Sequence, residues 1–422
     1  MNEKLNWEPD QQEKPKFKNL SPAHVKKFGI DMSDVKIVDT LEILKSKPPN
    51  IIIAECVEHI KFVQNWFREQ KLKKKNSYVM GLGVYQQLHY DMKLGKKILR
   101  PGKIKFKNIY KPYEGQDLTN KTLLVSRTGG IGDLLFIQPN LTYLKQKYPS
   151  CKIKFASGPQ YQSMIDNWSC VDTVLDLPFH VSHLFKSDYQ STFEGVIERC
   201  KEAETTNAYN LFSKWMGLNL PDELLVPFQE AKNEKVEECL RLLETWNLTE
   251  GFLLLQLRAS SPIRCPSINF WTELINKLTD RGYNIVITDN PRQTKGIDSF
   301  INQLERKEKV FNFARHSKSL DYTIAMTTLS KCVVSTDSAL LHIGASLGIP
   351  LFGIYGPFPG FIRLKTYPKC DWIDAIKEGC SPCFTHGQLP CKNAGNQPFS
   401  PCYDNIDKTD AVNRIEKLLE DN

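Results

Sequence analysis

The stretch from Val333 to Tyr355 constrains the fold more than any other part of this 422-residue chain. The apolar run Val333-Val334-Ser335-Thr336 leads into Asp337-Ser338-Ala339-Leu340-Leu341-His342. After Gly348-Ile349-Pro350 a second apolar run follows, Leu351-Phe352-Gly353-Ile354-Tyr355. Two such runs joined by a helix-length segment form a strand, a crossover helix and a second strand, which is the way parallel strands are connected. Asp337 and Ser338 then fall at the carboxyl end of a strand, where open α/β sheets bind ligands. The helix start beside them offers free N–H groups and a partial positive charge, suited to a phosphate. The plainer reading is a capping Asp or Ser and a core-facing histidine. His342 lies about one to one and a half turns from Asp337, so both readings stay open.

The same alternation recurs along the chain. Thr122–Ser126 reads as a strand, Arg127 to Asp133 as a glycine-rich turn, and Leu134 to Tyr148 as a helix stopped by Pro149. Strands are expected at Lys152–Ala156 and Thr173–Leu177, and mainly helix from Phe193 to Met216. A linker-like stretch, Pro221 to Glu234, separates this half from the next. There a helix over Lys235–Trp246 precedes strands at Phe252–Leu257, Asn284–Thr288 and Val310–Asn312. The expected organisation is an N-terminal extension (1–115), a first Rossmann-like domain (116–232) and a second one (233–422) that includes the cysteine cluster 380–402. Within the extension, Val35–Val38 and Asn50–Ala54 read as strands and Val57–Gln70 as a helix. Residues 1 to about 18, charged and without periodicity, read as disordered.

Apolar content of 41% and charged content of 25% describe a globular protein, and no run approaches the roughly 20 apolar residues of a membrane span. The start of the chain has no apolar core of the kind a secretory signal needs, so a cytoplasmic protein is expected. A net charge of +8 suits phosphate-bearing ligands or peripheral contact with an anionic membrane. The basic run Lys71, Lys73, Lys74 and Lys75 reads as a solvated helix end. No arginine–aromatic interleaving accompanies it, so nucleic acid is not an expected partner.

Four constellations could carry chemistry. The first is Arg127-Thr128-Gly129-Gly130-Ile131-Gly132-Asp133. Gly129, Gly130 and Gly132 allow a tight turn and close approach of a ligand, and Asp133 could cap the helix or act as a general base. The order does not match the dinucleotide fingerprint G-x-G-x-x-G. The second is the loop Arg258 to Pro266, where Ser260, Ser261 and Arg264 follow a strand directly. Hydroxyls and a guanidinium fork suit a diphosphate, though capping serines on a solvated loop would look similar. The third is Asp337-Ser338-Ala339 with His342. Asp289, at the end of its own strand, is a further candidate.

The fourth is Cys380, Cys383, Cys391 and Cys402, spaced C-x2-C-x7-C-x10-C. The other eight of the twelve cysteines are scattered and read as reduced packing residues. Four thiols within 23 residues fit a closed tetrahedral structural metal site, zinc first and iron second. A redox pair or two disulfides are the alternatives.

The order R-x-G-G-I-G-D, then Pro139 and Tyr148-Pro149, resembles the heptosyltransferase-type glycosyltransferases of family 9. The later D-S-x-x-x-H followed by Gly-x-Pro is similar to the same family. The cysteine-rich tail resembles one found in several members, including heptosyltransferases that act on autotransporter proteins. The resemblance covers about residues 117 to 418. It implies an α/β protein of GT-B fold, two Rossmann-like domains facing a cleft, acting as an inverting transferase without a catalytic metal. It implies Asp133 as general base on the acceptor hydroxyl, Ser260, Ser261 and Arg264 on the donor diphosphate, and Asp337, Ser338, Ala339 and His342 on sugar and diphosphate. Asp289 would meet the nucleoside. Arg264 stands where the family often has lysine, and Ala339 where it has glycine. The implied donor is a nucleotide-diphosphate sugar, ADP-heptose-like, and the implied acceptor a glycan, a lipid-linked core or a protein. An epimerase or hydrolase of sugar nucleotides, or a non-catalytic assembly protein, are the rival classes, since fold alone does not separate them.

Overall fold

The computed structural model describes residues 112–422, except 178–182, 184–185, 249, 376–379, 386–390 and 396, together with three short strands nearer the N-terminus. Those strands are β1 (Val35–Ile37), β2 (Ile51–Ala54) and β3 (Tyr78–Gly81), paired in parallel in that order. The expected helix over Val57–Gln70, the lysine run after it and the stretch before residue 19 lie outside the described residues.

The chain divides into two compact units. One gathers Met1–Thr128, Tyr148–Pro159 and Val171–Gly195; the other gathers Gly129–Lys147, Gln160–Cys170 and Val196–Asn422. The first unit holds a second parallel sheet of β4 (Thr122–Ser126), β5 (Lys152–Ser157), β6 (Thr173–Asp176) and β7 (Tyr189–Thr192), in the order β6-β5-β4-β7. Sequence periodicity misses β7, because Tyr-Gln-Ser-Thr carries no apolar pattern. It forms by pairing with β4 in the register Leu124↔Gln190, which buries polar Gln190, Ser191 and Thr192. The expected helix from Phe193 to Met216 is likewise broken. A turn of helix at Val196–Arg199 and a tight turn at Lys201–Glu204 precede helix proper at Ala208–Trp215, capped by the Asn207 side chain on the Tyr209 N–H.

The second unit is built on a six-stranded parallel sheet, in the order β10-β9-β8-β11-β12-β13. Its strands are β8 (Leu253–Gln256), β9 (Ile285–Ile287), β10 (Val310–Asn312), β11 (Cys332–Thr336), β12 (Leu351–Tyr355) and β13 (Cys370–Asp374). β11 and β12 are buried at every residue, as expected of central parallel strands covered on both faces. The helices of this unit include α1 (Ile131–Lys147), α2 (Ala208–Trp215), α3 (Asn233–Thr245), α4 (Ile268–Asp280) and, after β11, α5 (Ala339–Ser346). α4 shows how sequence makes these elements. Ser267 accepts the Phe270 N–H, and Phe270, Trp271, Leu274, Ile275 and Leu278 recur on the one face that enters the core.

From β8 the chain runs outward through β9 and β10, then returns to the other side of β8 as β11. The strand order therefore reverses between β8 and β11. Loops leaving the carboxyl ends of two such strands diverge and open a crevice. The two loops here are Arg258–Pro266 and Asp337–Ser338, which places two of the four sequence constellations side by side.

Candidate active site

At that crevice lies a cavity of about 420 Å³, and every residue lining it belongs to the larger unit. α1 brings Gly130, Gly132 and Asp133; the loop after β8 brings Ser260 and Arg264; the start of α5 brings Asp337, Ser338, Ala339 and His342. Nine of the residues singled out in the sequence thus share one cavity. A second cavity of about 770 Å³ is lined by Asp289, Asn290, Ser317 and Lys318. It shares Ile131, Tyr161, Gln256, Ala259, Ser260 and Ala339 with the first, so the two are continuous.

Asp337 sits at the centre of the charge arrangement. Its side chain is 3% exposed, and Arg264 reaches it with Nη1 at 3.3 Å from Oδ2 and 3.1 Å from the Asp337 carbonyl. The other arm of the Arg264 guanidinium donates to Ser260 Oγ at 2.7 Å. Arg363 stands on the opposite side, Nε 4.0 Å from Asp337 Oδ1. Burial alone would push the Asp337 carboxyl up; the guanidiniums of Arg264 and Arg363 outweigh it and hold the group below its ordinary value. Burial likewise disfavours the Arg264 cation, but Asp337 more than offsets it and the guanidinium stays charged.

Ser338 caps α5: its Oγ accepts the Leu340 N–H at 3.3 Å and donates to Gln256 Oε1 at 3.0 Å. Ser335 Oγ donates to the Gln256 carbonyl at 3.0 Å. These bonds pin the end of β11 to the end of β8 and fix the start of α5 beside the Arg264 loop.

His342 is both core residue and cavity wall. It is 3% exposed, its Nδ1 shares a 2.6 Å hydrogen bond with Tyr367 Oη, and Tyr367 Oη in turn bonds Tyr209 Oη on α2. Phe136 of α1 packs edge-on against the imidazole at 4.8 Å and against Tyr209 at 4.5 Å. Burial pushes His342 down to about 3, so the ring is neutral at physiological pH. Gly132 is required by this packing: a Cβ there would lie 2.7 Å from His342 Cδ2. Gly130, at φ +84°, needs glycine for a different reason, since a Cβ would meet the Asp133 carboxylate.

Besides the clustered cysteines, three residues singled out in the sequence line neither cavity. Arg127 belongs to the smaller unit, where its guanidinium is 4% exposed and donates to the Phe193 carbonyl at 2.6 Å. Gly129 lies against the Tyr161 ring. Ser261 is 1% exposed and its Oγ is buried without a partner among the described residues. Asp289 lines the second cavity, with its carboxyl pushed up by burial against the pull of the Asn290 N–H and Arg258. The first cavity also contains Tyr161, Gln256, Phe358, Arg363 and Thr385, which sequence reasoning missed. Phe358 and Arg363 come after Gly356-Pro357 at the carboxyl end of β12, one strand from the switch point, and that position is the signal that could have found them.

Cys380, Cys383, Cys391 and Cys402 line one small cavity together with Gly356, Asn393 and Ser400. Burial pushes the Cys402 thiol up to about 12, and the three neighbouring cysteines add to it. Asn393 Nδ2 donates to Cys380 Sγ at 3.1 Å. The donor chemistry suits a tetrahedral thiolate site, and a glycine at 356 keeps the floor open, since a Cβ there would lie 3.0 Å from Cys402 Sγ. Among the described residues, however, no three His, Cys, Asp or Glu side chains stand in ligating geometry. Nor is any helix among them long and apolar enough to cross a membrane.

Parallel sheets throughout and a ligand crevice at a switch point define an α/β protein of the GT-B type, and known structures agree. A family 9 glycosyltransferase from Veillonella parvula superposes with a TM-score of 0.56 at 14% identity, over 73% of this chain and 99% of that one. TibC, an iron-containing dodecameric glycosyltransferase from enterotoxigenic Escherichia coli, superposes with a TM-score of 0.50 at 13% identity, over 72% and 78%. Residues 202–392 match the model of glycosyltransferase family 9 (heptosyltransferase). Lipopolysaccharide heptosyltransferase 2 of Escherichia coli K12 is 28% identical over 153 residues, which span 33% of this chain and 40% of that protein. The chain thus matches less than half the length of this curated relative. Over residues 202–392 it is similar to the heptosyltransferase-type glycosyltransferases of family 9.

Proposed function

We propose that the chain transfers a sugar, with inversion, from a nucleoside diphosphate donor to an acceptor hydroxyl, ADP-heptose being the leading donor. The observation that carries the reading is that Asp133, Arg264, Ser338 and His342 line one cavity that continues into a second lined by Asp289. The nucleoside would occupy the second cavity and the sugar the first, with the diphosphate crossing near Ser260 and the start of α5. TibC has been described in complex with ADP-D-β-D-heptose, which makes that sugar nucleotide the first to test.

In this reading Asp133 takes the proton from the acceptor hydroxyl as its oxygen bonds to the anomeric carbon. The bond from that carbon to the diphosphate oxygen breaks, and its electron pair leaves with the diphosphate. Arg264 and the free N–H groups at the start of α5 hold the charge that develops there. Neutral His342 contributes a ring nitrogen and no charge. Asp337 acts through Arg264, whose guanidinium it aligns. Because Arg264 and the helix start supply the charge stabilisation, transfer is proposed to proceed without a catalytic metal, and activity should survive EDTA.

The division of labour follows the sequence: residues 116–232 for the acceptor, 233–422 for the donor, and 1–115 as an extension. The acceptor is a glycan, a lipid-linked core or a protein, reached from the cytoplasmic side with at most peripheral membrane contact. Cys380, Cys383, Cys391 and Cys402 would hold zinc or iron, which would supply a cross-link for the tail. Calorimetry with ADP, UDP and their sugars tests the donor, followed by a product assay on any that bind. Saturable binding of ADP and ADP-heptose is expected; binding of none contradicts the reading.

A further inference from the structure

Phe358, Arg363 and Thr385 have no part in the proposed transfer mechanism. All three line the first cavity and none lines the second. They therefore stand at the end away from Asp289 and the nucleoside side.

Arg363 is a built feature of this end. It is 7% exposed and lies in the short helix Phe361–Leu364. Its guanidinium stands 5.4 Å over the Phe358 ring. Its approach to Asp337, at 4.0 Å, is an ion contact longer than a hydrogen bond, and that carboxylate already serves Arg264. Its one hydrogen bond among the described residues is a long one, 3.4 Å from Nη1 to the Ile362 carbonyl. A guanidinium carries five N–H donors. No nitrogen of Arg363 is a fully buried atom without a partner among the described residues, so its remaining donors open onto the cavity it lines.

Thr385 reaches the same cavity from the cysteine-rich segment, and the segment is seated for it. Ser381 Oγ donates to the Gly356 carbonyl at 2.7 Å, and the Phe384 N–H donates to the Pro357 carbonyl at 2.9 Å. The Phe384 ring meets Phe358 edge-on at 6.2 Å. The stretch that begins at Cys380 and Cys383 is therefore bound to the loop that carries Phe358. It forms one wall of the cavity.

We infer that Arg363 and Thr385, over the floor made by Phe358, form a subsite for the hydroxyl groups of the transferred sugar, so that the cysteine-rich segment takes part in choosing the donor. The inference rests on the proposed nucleotide-sugar reading. A forked donor, a hydroxyl that can donate or accept, and a buried aromatic ring match a polyol better than they match a phosphate already served by Arg264.

The test is calorimetric, on the full chain, with ADP and ADP-D-β-D-heptose as probes. Arg363→Met keeps the aliphatic stem, Arg363→Lys keeps the charge, and Thr385→Val is nearly isosteric. The sugar nucleotide should bind about tenfold to a hundredfold more weakly to Arg363→Met, and about threefold to tenfold more weakly to Thr385→Val. ADP, which lacks the sugar, should bind all variants within about threefold of the parent chain. Thr385→Ser should restore sugar-nucleotide binding, and Arg363→Lys should restore it in part. Equal losses for ADP and ADP-heptose, or no loss for either, would overturn the subsite. So would a parent chain that binds the sugar nucleotide no more tightly than ADP, a result that leaves the nucleotide site standing. Binding of neither probe by the parent chain would overturn both readings.

Discussion

Replacing Tyr367 by phenylalanine tests the buried chain His342–Tyr367–Tyr209 at its middle link. The substitution removes one oxygen and leaves the ring. Two polar atoms lose a partner at once: Nδ1 of His342, 3% exposed, and Oη of Tyr209, 0% exposed. Each buried, unsatisfied group costs about 1–3 kcal/mol, so Tyr367→Phe should destabilise the larger unit by about 2–6 kcal/mol. Tyr209→Phe removes an outer link and leaves the bond between Tyr367 and His342, so it should cost under about 1 kcal/mol. The double variant orphans His342 alone and should be no less stable than Tyr367→Phe. Urea denaturation followed by tryptophan fluorescence reads all four forms, provided the slope with urea is unchanged. A Tyr367→Phe loss below about 0.5 kcal/mol, or two single losses that simply add in the double variant, would refute the chain as a coupled network.

Other expectations arise from the same geometry. His342 is held near 3 in the fold against an ordinary 6.5, so between those values the unfolded chain binds a proton that the folded chain does not. Stability should therefore fall as pH drops below about 6.5, by up to about 1.4 kcal/mol per unit from this group, and His342→Gln should remove that share of the slope. Ser338→Ala deletes the cap of α5 and the bond to Gln256, which should cost about 1–2 kcal/mol in denaturant and weaken ADP binding measured by calorimetry. Asp289→Asn should weaken ADP binding while leaving the turnover of bound donor nearly unchanged, a split that steady-state kinetics resolves. Freshly purified protein should carry zinc or iron near one per chain by elemental analysis, and replacing the four clustered cysteines by serine should abolish it.

What the sequence made legible divides along physical lines. β11, α5 and β12 were readable because buried parallel strands run near-continuously apolar, as Cys332–Val334 does before polar Ser335 and Thr336, and as Leu351–Tyr355 does throughout. The pairing of the Arg264 loop with Asp337 was not legible, because it depends on β8 and β11 being neighbours, which no motif encodes. β7 was illegible because Tyr189–Thr192 has no apolar pattern and owes its extended form to β4. Arg363 and Thr385 were illegible for another reason. Neither sits in a motif, and their place in the cavity depends on how the loop after β12 folds against the cysteine-rich segment. Arg127 shows the converse: it stands inside a motif, yet the structure ties it to the Phe193 carbonyl and it lines neither cavity.

The central claim is that Asp133 acts as the base in a sugar transfer whose donor is held by other residues. Asp133→Asn keeps shape and removes basicity, so the direct measurement pairs turnover of ADP-heptose with ADP affinity in this one variant. The account predicts turnover lower by about a hundredfold to ten-thousandfold with ADP affinity within about threefold of the parent. Undiminished turnover, or a loss of turnover matched by an equal loss of ADP binding, would contradict it.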